Sequence, residues 1–209
     1  MPHKKRPLDR DSGVVRDASL VVIACEDTHA VKQYFARFRT RRVQFIVLPT
    51  EDGRSSPKDV LARLDSFRQT EVTEEGDLFW ICIDTDHWVQ ANHFQNLREV
   101  LQQCRQKNYD VAINNPCFEL WLLLHFEECR SSVAVSCSDV IGALRRAAGS
   151  YQKSKCAQLA IEPSQVHRAV TRAKTMDTDP EDILPSRPIT RVYRLMELLQ
   201  NRDSVKLSD

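Results

Sequence analysis

The sequence lacks the features that define several large classes of protein. It contains no apolar run near the roughly 20 residues that a membrane-spanning helix requires. Its five glycines and nine prolines among 209 residues leave little room for low-complexity linkers. It also lacks a surplus of charge, because 30 basic side chains stand against 29 acidic ones. We therefore expect a globular chain with no membrane partner, in which any anionic partner is bound by a local patch.

The cysteines do not form a recognisable framework. There are seven of them, an odd number, and no Cys-x-x-Cys pair occurs. The sequence therefore suggests neither a disulfide scaffold nor a zinc ribbon, and reduced thiols in a cytoplasmic protein are the simpler interpretation. The basic start His3–Arg6 is not followed by the apolar stretch of a signal peptide, which also predicts a cytoplasmic location.

Four apolar runs alternate with helical patterns over the first 128 residues. The runs cover residues 20–25, 43–48, 78–83 and 110–113. Helices are predicted after each of them, over about 28–39, from Pro57, over about 92–107 and from Pro116. This order predicts an α/β fold with a mainly parallel four-stranded sheet, flanked by helices and joined by right-handed crossovers.

The remaining segments differ in character from this α/β pattern. Residues 1–17 are polar and charged with two prolines, which predicts a flexible basic arm before the α/β domain of residues 18–128. Residues 129–209 show helical patterns at about 138–148, 164–175 and 190–200, and no strong strand. We predict a helical C-terminal subdomain packed on the α/β domain, either across the carboxyl edge of the sheet or over its face.

Acidic residues follow two of the predicted strands where each strand ends. Glu26 and Asp27 follow the first run, and Asp84 and Asp86 follow the third. Ligands of open parallel sheets bind outside the carboxyl ends of the strands, and oxygen ligands suit hard cations. We expect Asp84 and Asp86 to bind Mg²⁺ or Mn²⁺, with Glu26 completing the coordination or acting as general acid or base. Alternatively, the Asp84 pair caps a helix, and Asp27 is either a fourth acid or only a cap.

Glu119 and His125 interrupt an otherwise apolar helix, which is predicted to begin at Pro116. Buried polar groups need partners. Glu119 either pairs with a basic residue or the helix N-terminus, or lies at the metal edge as a catalytic residue. His125 is either a hydrogen-bonded core histidine or a residue that binds substrate. In the catalytic alternative, Asn115 at the strand end contacts phosphate or a metal-bound water.

A basic stretch lies between residues 151 and 174, where Glu162 is the one acid. It contains Lys153, Arg168 and Arg172, and the two arginines are four residues apart on one helical face. Such a patch can bind the phosphates of a nucleic acid, although a solvated helix face has the same composition.

At these motifs the chain resembles the RloB family of bacterial phage-defence proteins, which is related to the AbiLii abortive-infection component and carries a Toprim-like nuclease domain. The resemblance extends from about Leu20 to Leu199. It depends on Val22–Glu26 with Tyr34–Phe35, on Ile83–Asp86 and above all on Asn115–Phe126.

The resemblance implies that Glu26 is the Toprim glutamate and that Asp84 and Asp86 are metal ligands. The chain departs from the family pattern at two positions. The family usually has glycine after the first glutamate and a second glutamate five residues further on, where this chain has Asp27 and Val31. The first change adds a side chain beside the site, and the second removes an acid from it.

The function implied by the resemblance is that of a Toprim-like, metal-dependent endonuclease cutting RNA, including transfer RNA, or DNA. It would act in antiphage abortive infection with an AAA- or ABC-type ATPase partner similar to RloA, as a homodimer. The alternative is a catalytically degenerate nucleic-acid-binding or regulatory protein of the same defence system. A receiver-like phosphoacceptor domain also matches Glu26, Asp27 and Asp84, but it leaves residues 115–126 and the helical tail unexplained.

Overall fold

The computed structural model describes residues 18–39, 42–51, 53–86, 91–129, 136–201 and 206–207, so the predicted basic arm lies outside the described residues. The strands are β1 (Ser19–Cys25), β2 (Phe38–Arg39), β3 (Val43–Leu48), β4 (Leu78–Asp84), β5 (Asp110–Asn115), β6 (Ile189–Thr190) and β7 (Lys206–Leu207). The α-helices are α1 (Ala30–Phe35), α2 (Pro57–Thr70), α3 (Ala91–Gln106), α4 (Glu119–Phe126), α5 (Cys137–Ala148), α6 (Pro163–Met176) and α7 (Val192–Asn201). A 3₁₀ helix, Lys153–Gln158, lies between α5 and α6.

The main sheet has five strands in the order β3-β1-β4-β5-β6. The four strands that the sequence predicts all form and pair in parallel, whereas β6 runs antiparallel to β5. This architecture confirms the predicted α/β fold and agrees with the Toprim-like description. The sequence shows no strong strand after residue 129, and the two strands found there, β6 and β7, have two residues each, which is too short to show a pattern. β7 pairs with β2 outside the main sheet.

Strand alternation divides the protein into two hydrophobic cores, one on each face of the sheet. Val21, Ile23 and Cys25 of β1 face a core that includes α1 and α4 to α7. Leu20, Val22 and Ala24 face a second core, which includes α2 and α3. The C-terminal helices therefore cover one face of the sheet and share a core with its strands.

Helix α4 lies at the centre of the first core. Its residues from Glu119 to His125 are buried, as its nearly continuous apolar pattern predicts, and α5 and α6 pack against it. The helix begins at Glu119 rather than at Pro116, which follows a cis peptide bond. The carbonyl of Pro116 accepts hydrogen bonds from the N–H groups of Thr85 and Asp86 and so holds the end of β4. No helix among the described residues is long and apolar enough to cross a membrane.

Helix α1 is shorter than the sequence predicts. It ends at Phe35, and Phe38–Arg39 then form β2 instead of continuing the helix. Helix α2 agrees with its sequence signals, because Pro57 is its first residue and the Ser56 side chain accepts a hydrogen bond from the N–H of Asp59.

The prediction of reduced thiols throughout is wrong for one pair of cysteines. Cys117, before α4, and Cys137, the first residue of α5, form a disulfide with their Cα atoms 5.6 Å apart. They are 20 residues apart in the chain, and the packing of α5 on α4 brings them together. The other five cysteines, all among the described residues, are outside any disulfide.

A buried ion pair anchors the loop between α6 and β6. Arg191 donates two hydrogen bonds to Asp177, from Nε to Oδ2 at 2.9 Å and from Nη2 to Oδ1 at 3.0 Å. It also donates to the carbonyls of Asp179 and Asp182. Burial raises the pKa of Asp177, but hydrogen bonds from Arg191 and Tyr193 outweigh this and hold it below its usual value.

We expect Arg191→Met to lower the free energy of unfolding by about 3–5 kcal/mol, because it leaves the buried Asp177 carboxylate without its main partner. Urea denaturation measures this change. Glu197→Gln is the matched control, since it breaks an exposed ion pair with Lys174 and should leave the denaturation midpoint unchanged. Equal midpoints for wild type and Arg191→Met would contradict the proposed anchoring role.

Candidate acidic site at the carboxyl edge of the sheet

Strand alternation decides which polar side chains meet at the carboxyl edge. In β4, Trp80 and Cys82 belong to the core of α1 and α4, so Asp84 continues that face. Asn114 is the register partner of Asp84 on β5. Helix α4 lies over the same face and has Glu119 as its first residue. The sheet and α4 thereby bring Asp84, Asn114 and Glu119 together.

Asp84 is 9% exposed, and the Nδ2 of Asn114 donates a hydrogen bond of 3.1 Å to its Oδ1. The Oδ1 of Asn114 in turn accepts a hydrogen bond of 2.7 Å from the Thr190 hydroxyl on β6, which fixes the orientation of the amide. Burial raises the pKa of Asp84 well above its usual range, and the negative charges of Glu119 and Asp86 add to this. The charge of Lys153 opposes the increase.

Asp27 uses its two carboxylate oxygens for different contacts. Its Oδ1 accepts hydrogen bonds from the N–H groups of His29 and Val31 at 2.7 and 3.2 Å, at the start of α1. Its Oδ2 lies 2.9 Å from the Nζ of Lys153. The Asp27 side chain is 4% exposed, so this ion pair places an ammonium beside a buried carboxylate.

Glu119 is fully buried and has polar neighbours on both carboxylate oxygens. Its Oε1 accepts a hydrogen bond of 3.0 Å from the Tyr151 hydroxyl and lies 3.5 Å from the Nζ of Lys153. Its Oε2 lies 3.8 Å from the Sγ of Cys137, which carries no proton while it is part of the disulfide. Lys153 therefore links Asp27 and Glu119, which belong to different elements of the fold.

Helix α1 determines the position of Lys153. Gln33 contacts the 3₁₀ helix twice, donating to the Ser154 carbonyl and accepting from the N–H of Ala157, each at 2.8 Å. Arg37, one turn further along, donates to the carbonyls of Cys156 and Leu159. These contacts hold the 3₁₀ helix against α1, and the first residue of this 3₁₀ helix, Lys153, then reaches Asp27 at the other end of α1.

The chemistry of the cluster is that of buried oxygen donors around one ammonium. We define the acidic cluster as Asp27, Asp84, Asp86 and Glu119. Four carboxylates against one lysine leave a deficit of positive charge, and hard cations such as Mg²⁺ and Mn²⁺ prefer this donor type. Within the described part of the chain, no three carboxylates bring their oxygens within 4.8 Å of one another; the three groups that do are Cys117, Glu119 and Cys137. The donor type therefore fits a divalent cation. In the structure, the positive charge that contacts Asp27 and Glu119 is the ammonium of Lys153.

Two further acids predicted for the site lie at the same edge. Asp86 is half-buried, two residues beyond Asp84, and its N–H donates to the Pro116 carbonyl. Glu26 is half-buried and follows the face of β1 that packs against α2. Burial lowers the pKa of Arg63 on α2, and Glu26 is among the anionic groups whose charge opposes this. The structure thus places Asp27 next to Lys153 and places Glu26 near Arg63.

The predicted substrate-binding residues have separate locations. Lys153 lies in the acidic cluster, and Arg168 is exposed on α6. Arg172 donates a hydrogen bond of 2.6 Å to the Leu124 carbonyl near the end of α4. Asn115 donates from its amide to the carbonyls of Pro185 and Arg187, which holds the loop before β6 rather than a phosphate.

His125 lies in the hydrophobic core with both ring nitrogens hydrogen-bonded. Its Nδ1 lies 2.9 Å from the Trp121 carbonyl, which can only accept, so Nδ1 carries the proton. Its Nε2 then accepts a hydrogen bond of 3.1 Å from the Tyr34 hydroxyl. Burial lowers its pKa to about 3. Of the two alternatives for this residue, the structure supports the core histidine, since neither nitrogen is available to a substrate.

Sequence reasoning gave no site role to Asn114 or to the hydroxyl of Tyr151. Asn114 could have been found from strand register, because it stands opposite Asp84 in adjacent parallel strands. The sequence shows no signal for Tyr151 beyond its position two residues before Lys153, since its contact with Glu119 depends on how α4 and the 3₁₀ helix pack.

The neutral state of His125 predicts acid sensitivity. Because its pKa is about 3 in the folded protein and near 6.5 when unfolded, the unfolded chain binds more protons between these values. Its contribution to stability is complete above pH 6.5 and falls by about 1.4 kcal/mol per pH unit as the pH is lowered towards 3. Urea unfolding at several pH values should show a shallower decline for His125→Gln than for wild type. Parallel declines would contradict the buried neutral histidine.

Comparison with known proteins identifies a family. The model of the RloB-like protein family matches residues 21–199, which is most of the chain. Neither a curated protein nor a solved structure matches this chain significantly. The matched region contains the whole acidic cluster, Lys153, and all strands of the main sheet except the first two residues of β1. The chain therefore belongs to the RloB-like protein family.

Proposed function

We propose that this protein is a divalent-metal-dependent endonuclease of the Toprim type, cutting phosphodiester bonds in RNA, transfer RNA included, or in DNA. The observation that carries the proposal is the acidic cluster itself. Asp84 is buried at the carboxyl end of a central parallel strand, and Glu119 lies close enough for its charge to raise the pKa of Asp84. Such an arrangement is costly for a fold unless a cation or a reaction makes use of it.

Each residue of the cluster has a role in this proposal that follows from its surroundings. Asp84 and Asp86 would hold the cation, with Asp84 oriented by the amide of Asn114. Glu119, held by Tyr151, would provide a further carboxylate oxygen at the same edge. The side chain of Lys153 is 45% exposed, so its ammonium can also contact a phosphate that enters from solvent.

Bound Mg²⁺ or Mn²⁺ would supply Lewis-acid stabilisation of the charge that develops on the phosphate. The residues of this chain would bind and orient the phosphodiester, and a carboxylate at the edge would accept the proton of the attacking water. The family resemblance assigns the first acid to Glu26, whereas the contacts with Lys153 and the start of α1 favour Asp27 in that position.

The biological setting is part of the same proposal. The resemblance to RloB implies a role in phage defence together with an ATPase, so we propose that this chain is the nuclease component of such a pair. An enzyme controlled in this way is expected to be weakly active alone, because uncontrolled cleavage would damage the host cell.

A second candidate is a catalytically degenerate protein that binds nucleic acid without cleaving it. The separation of the carboxylates favours it, since no three of them in the described part of the chain each bring an oxygen within 4.8 Å of the others. The presence of Lys153 between Asp27 and Glu119 also favours it, because an ammonium competes with a divalent cation for the same carboxylates.

We expect purified wild type, with and without the ATPase partner, to cleave cellular RNA or plasmid DNA in Mg²⁺ or Mn²⁺ and not in chelator. Asp84→Asn should lower the cleavage rate by roughly a hundredfold or more, because it removes a charged metal ligand without changing its shape. Sequencing of new strand ends measures the rate and identifies the substrate. Glu99→Gln, exposed on α3, is the control and should cleave as wild type does.

Two single variants distinguish the candidate first acids. If Asp27 acts in the site, Asp27→Asn lowers cleavage while Glu26→Gln has little effect, and the opposite result supports the family assignment. Cleavage that survives in Asp84→Asn would contradict the nuclease proposal. Metal-dependent nucleic-acid binding with no cleavage, even with the ATPase, would favour the degenerate protein.

A further inference from the structure

The disulfide between Cys117 and Cys137 lies beside Glu119 of the acidic cluster, with the Sγ of Cys137 3.8 Å from the Oε2 of Glu119. Cys25, Cys82, Cys104 and Cys156 are buried thiols, and burial raises the pKa of each of them. Cys25 and Cys82 are even register partners on adjacent strands, yet they remain unbonded. Proximity of two cysteines in the core is therefore not enough for a disulfide. The disulfide between Cys117 and Cys137 depends on the way α4 and α5 pack.

The disulfide lies against one carboxylate oxygen of Glu119, while two residues outside the acidic cluster contact the other oxygen. Tyr151 and Lys153 contact Oε1, whereas Oε2 lies 3.8 Å from the Sγ of Cys137. A thiol at this distance can donate a weak S–H hydrogen bond to Oε2. A disulfide sulfur has no proton to donate. Oxidation of the pair therefore removes a donor from Oε2 and leaves that oxygen available to a cation.

We propose that Cys117 and Cys137 form a reversible dithiol–disulfide modification site that controls the second carboxylate oxygen of Glu119. The oxidant is a low-molecular-weight disulfide. One protein thiol attacks it, forming a mixed disulfide and releasing one small thiol. The second protein thiol then attacks the protein sulfur of this mixed disulfide and releases the other small thiol. The two cysteines lose two hydrogens and two electrons, and the small disulfide gains them as two thiols.

Exposure determines the order of these two steps. Cys137 is half-buried at the start of α5, whereas Cys117 is 1% exposed. A small disulfide can reach Cys137 but not Cys117. Cys137 is therefore the residue that forms the mixed disulfide, and Cys117 is the residue that resolves it.

Thiol mapping by mass spectrometry tests the site directly. The reduced full-length protein is equilibrated with glutathione disulfide, alkylated and digested. We expect the Cys117 and Cys137 peptides to appear cross-linked, while the four buried cysteines, Cys25, Cys82, Cys104 and Cys156, are alkylated. Half-buried Cys129 is expected to carry glutathione without forming a cross-link, and dithiothreitol should reverse both modifications. Absence of the Cys117–Cys137 cross-link in the wild type would overturn the proposal, and this measurement needs no variant to fold.

Single variants test the order of reaction. Cys117→Ser should retain glutathione on Cys137, because the resolving thiol is missing, whereas Cys137→Ser should leave Cys117 unmodified. Cys129→Ser is the matched control, because Cys129 is half-buried, lies in the segment after α4 and is outside the disulfide, and this variant should cross-link as wild type does. Equal glutathionylation of Cys117 and Cys137 in the two variants would contradict the assigned order.

The link to Glu119 rests on the proposed function and has its own measurement. Mn²⁺ binding is followed by electron paramagnetic resonance, without nucleic acid, in the oxidised and the reduced protein. We expect a roughly threefold to fivefold lower Kd in the disulfide form, which is the effect of removing one competing hydrogen bond. Equal Kd values in the two forms would contradict only the proposed control of Glu119 by the disulfide. Absence of Mn²⁺ binding in both forms would contradict the metal proposal as well, whereas the cross-link would still establish the modification site.

Discussion

Negative charge held away from water at the carboxyl edge of the sheet is the constraint on which the rest of the site depends. Asp84 and Glu119 are both buried, and the charge of Glu119 raises the cost of ionising Asp84. Lys153 offsets part of this cost by pairing with Glu119 and Asp27. Its position requires the contacts of Gln33 and Arg37 with the 3₁₀ helix, so α1 supports the electrostatics of a site to which it contributes no acid of its own.

The alternation of side chains in the strands explains why particular acids meet. Odd-numbered residues of β1 and even-numbered residues of β4 and β5 face α1 and α4. Asp84 and Asn114 continue this face, and Asp27 follows it beyond the end of β1. Glu26 follows the other face, towards α2 and Arg63. Asp27 therefore places a carboxylate on the face where α4 and the 3₁₀ helix meet.

Several polar residues of types that are common in active sites make structural contacts instead. His125 bridges α1 and α4 as a neutral ring, Asn115 holds the loop before β6, and Arg172 binds a carbonyl at the end of α4. These contacts support α4, which carries Glu119, and the loop before the edge strand β6, which pairs with β5 at Asn114. These residues affect the site only by holding the elements that carry its side chains. The segment from Asn115 to Phe126 therefore combines structural residues with Glu119 of the acidic cluster.

The sequence alone determined the α/β fold, the four parallel strands, the position of the acids at strand ends and the family, because these depend on local apolar patterns and on contiguous motifs. It could not show that Asp27 and Glu119 share Lys153, that Tyr151 holds Glu119, or that Cys117 reaches Cys137. Those contacts join residues from 20 to more than 100 positions apart. They depend on how α1, α4, α5 and the 3₁₀ helix pack on one face of the sheet, and only the tertiary structure decides that packing.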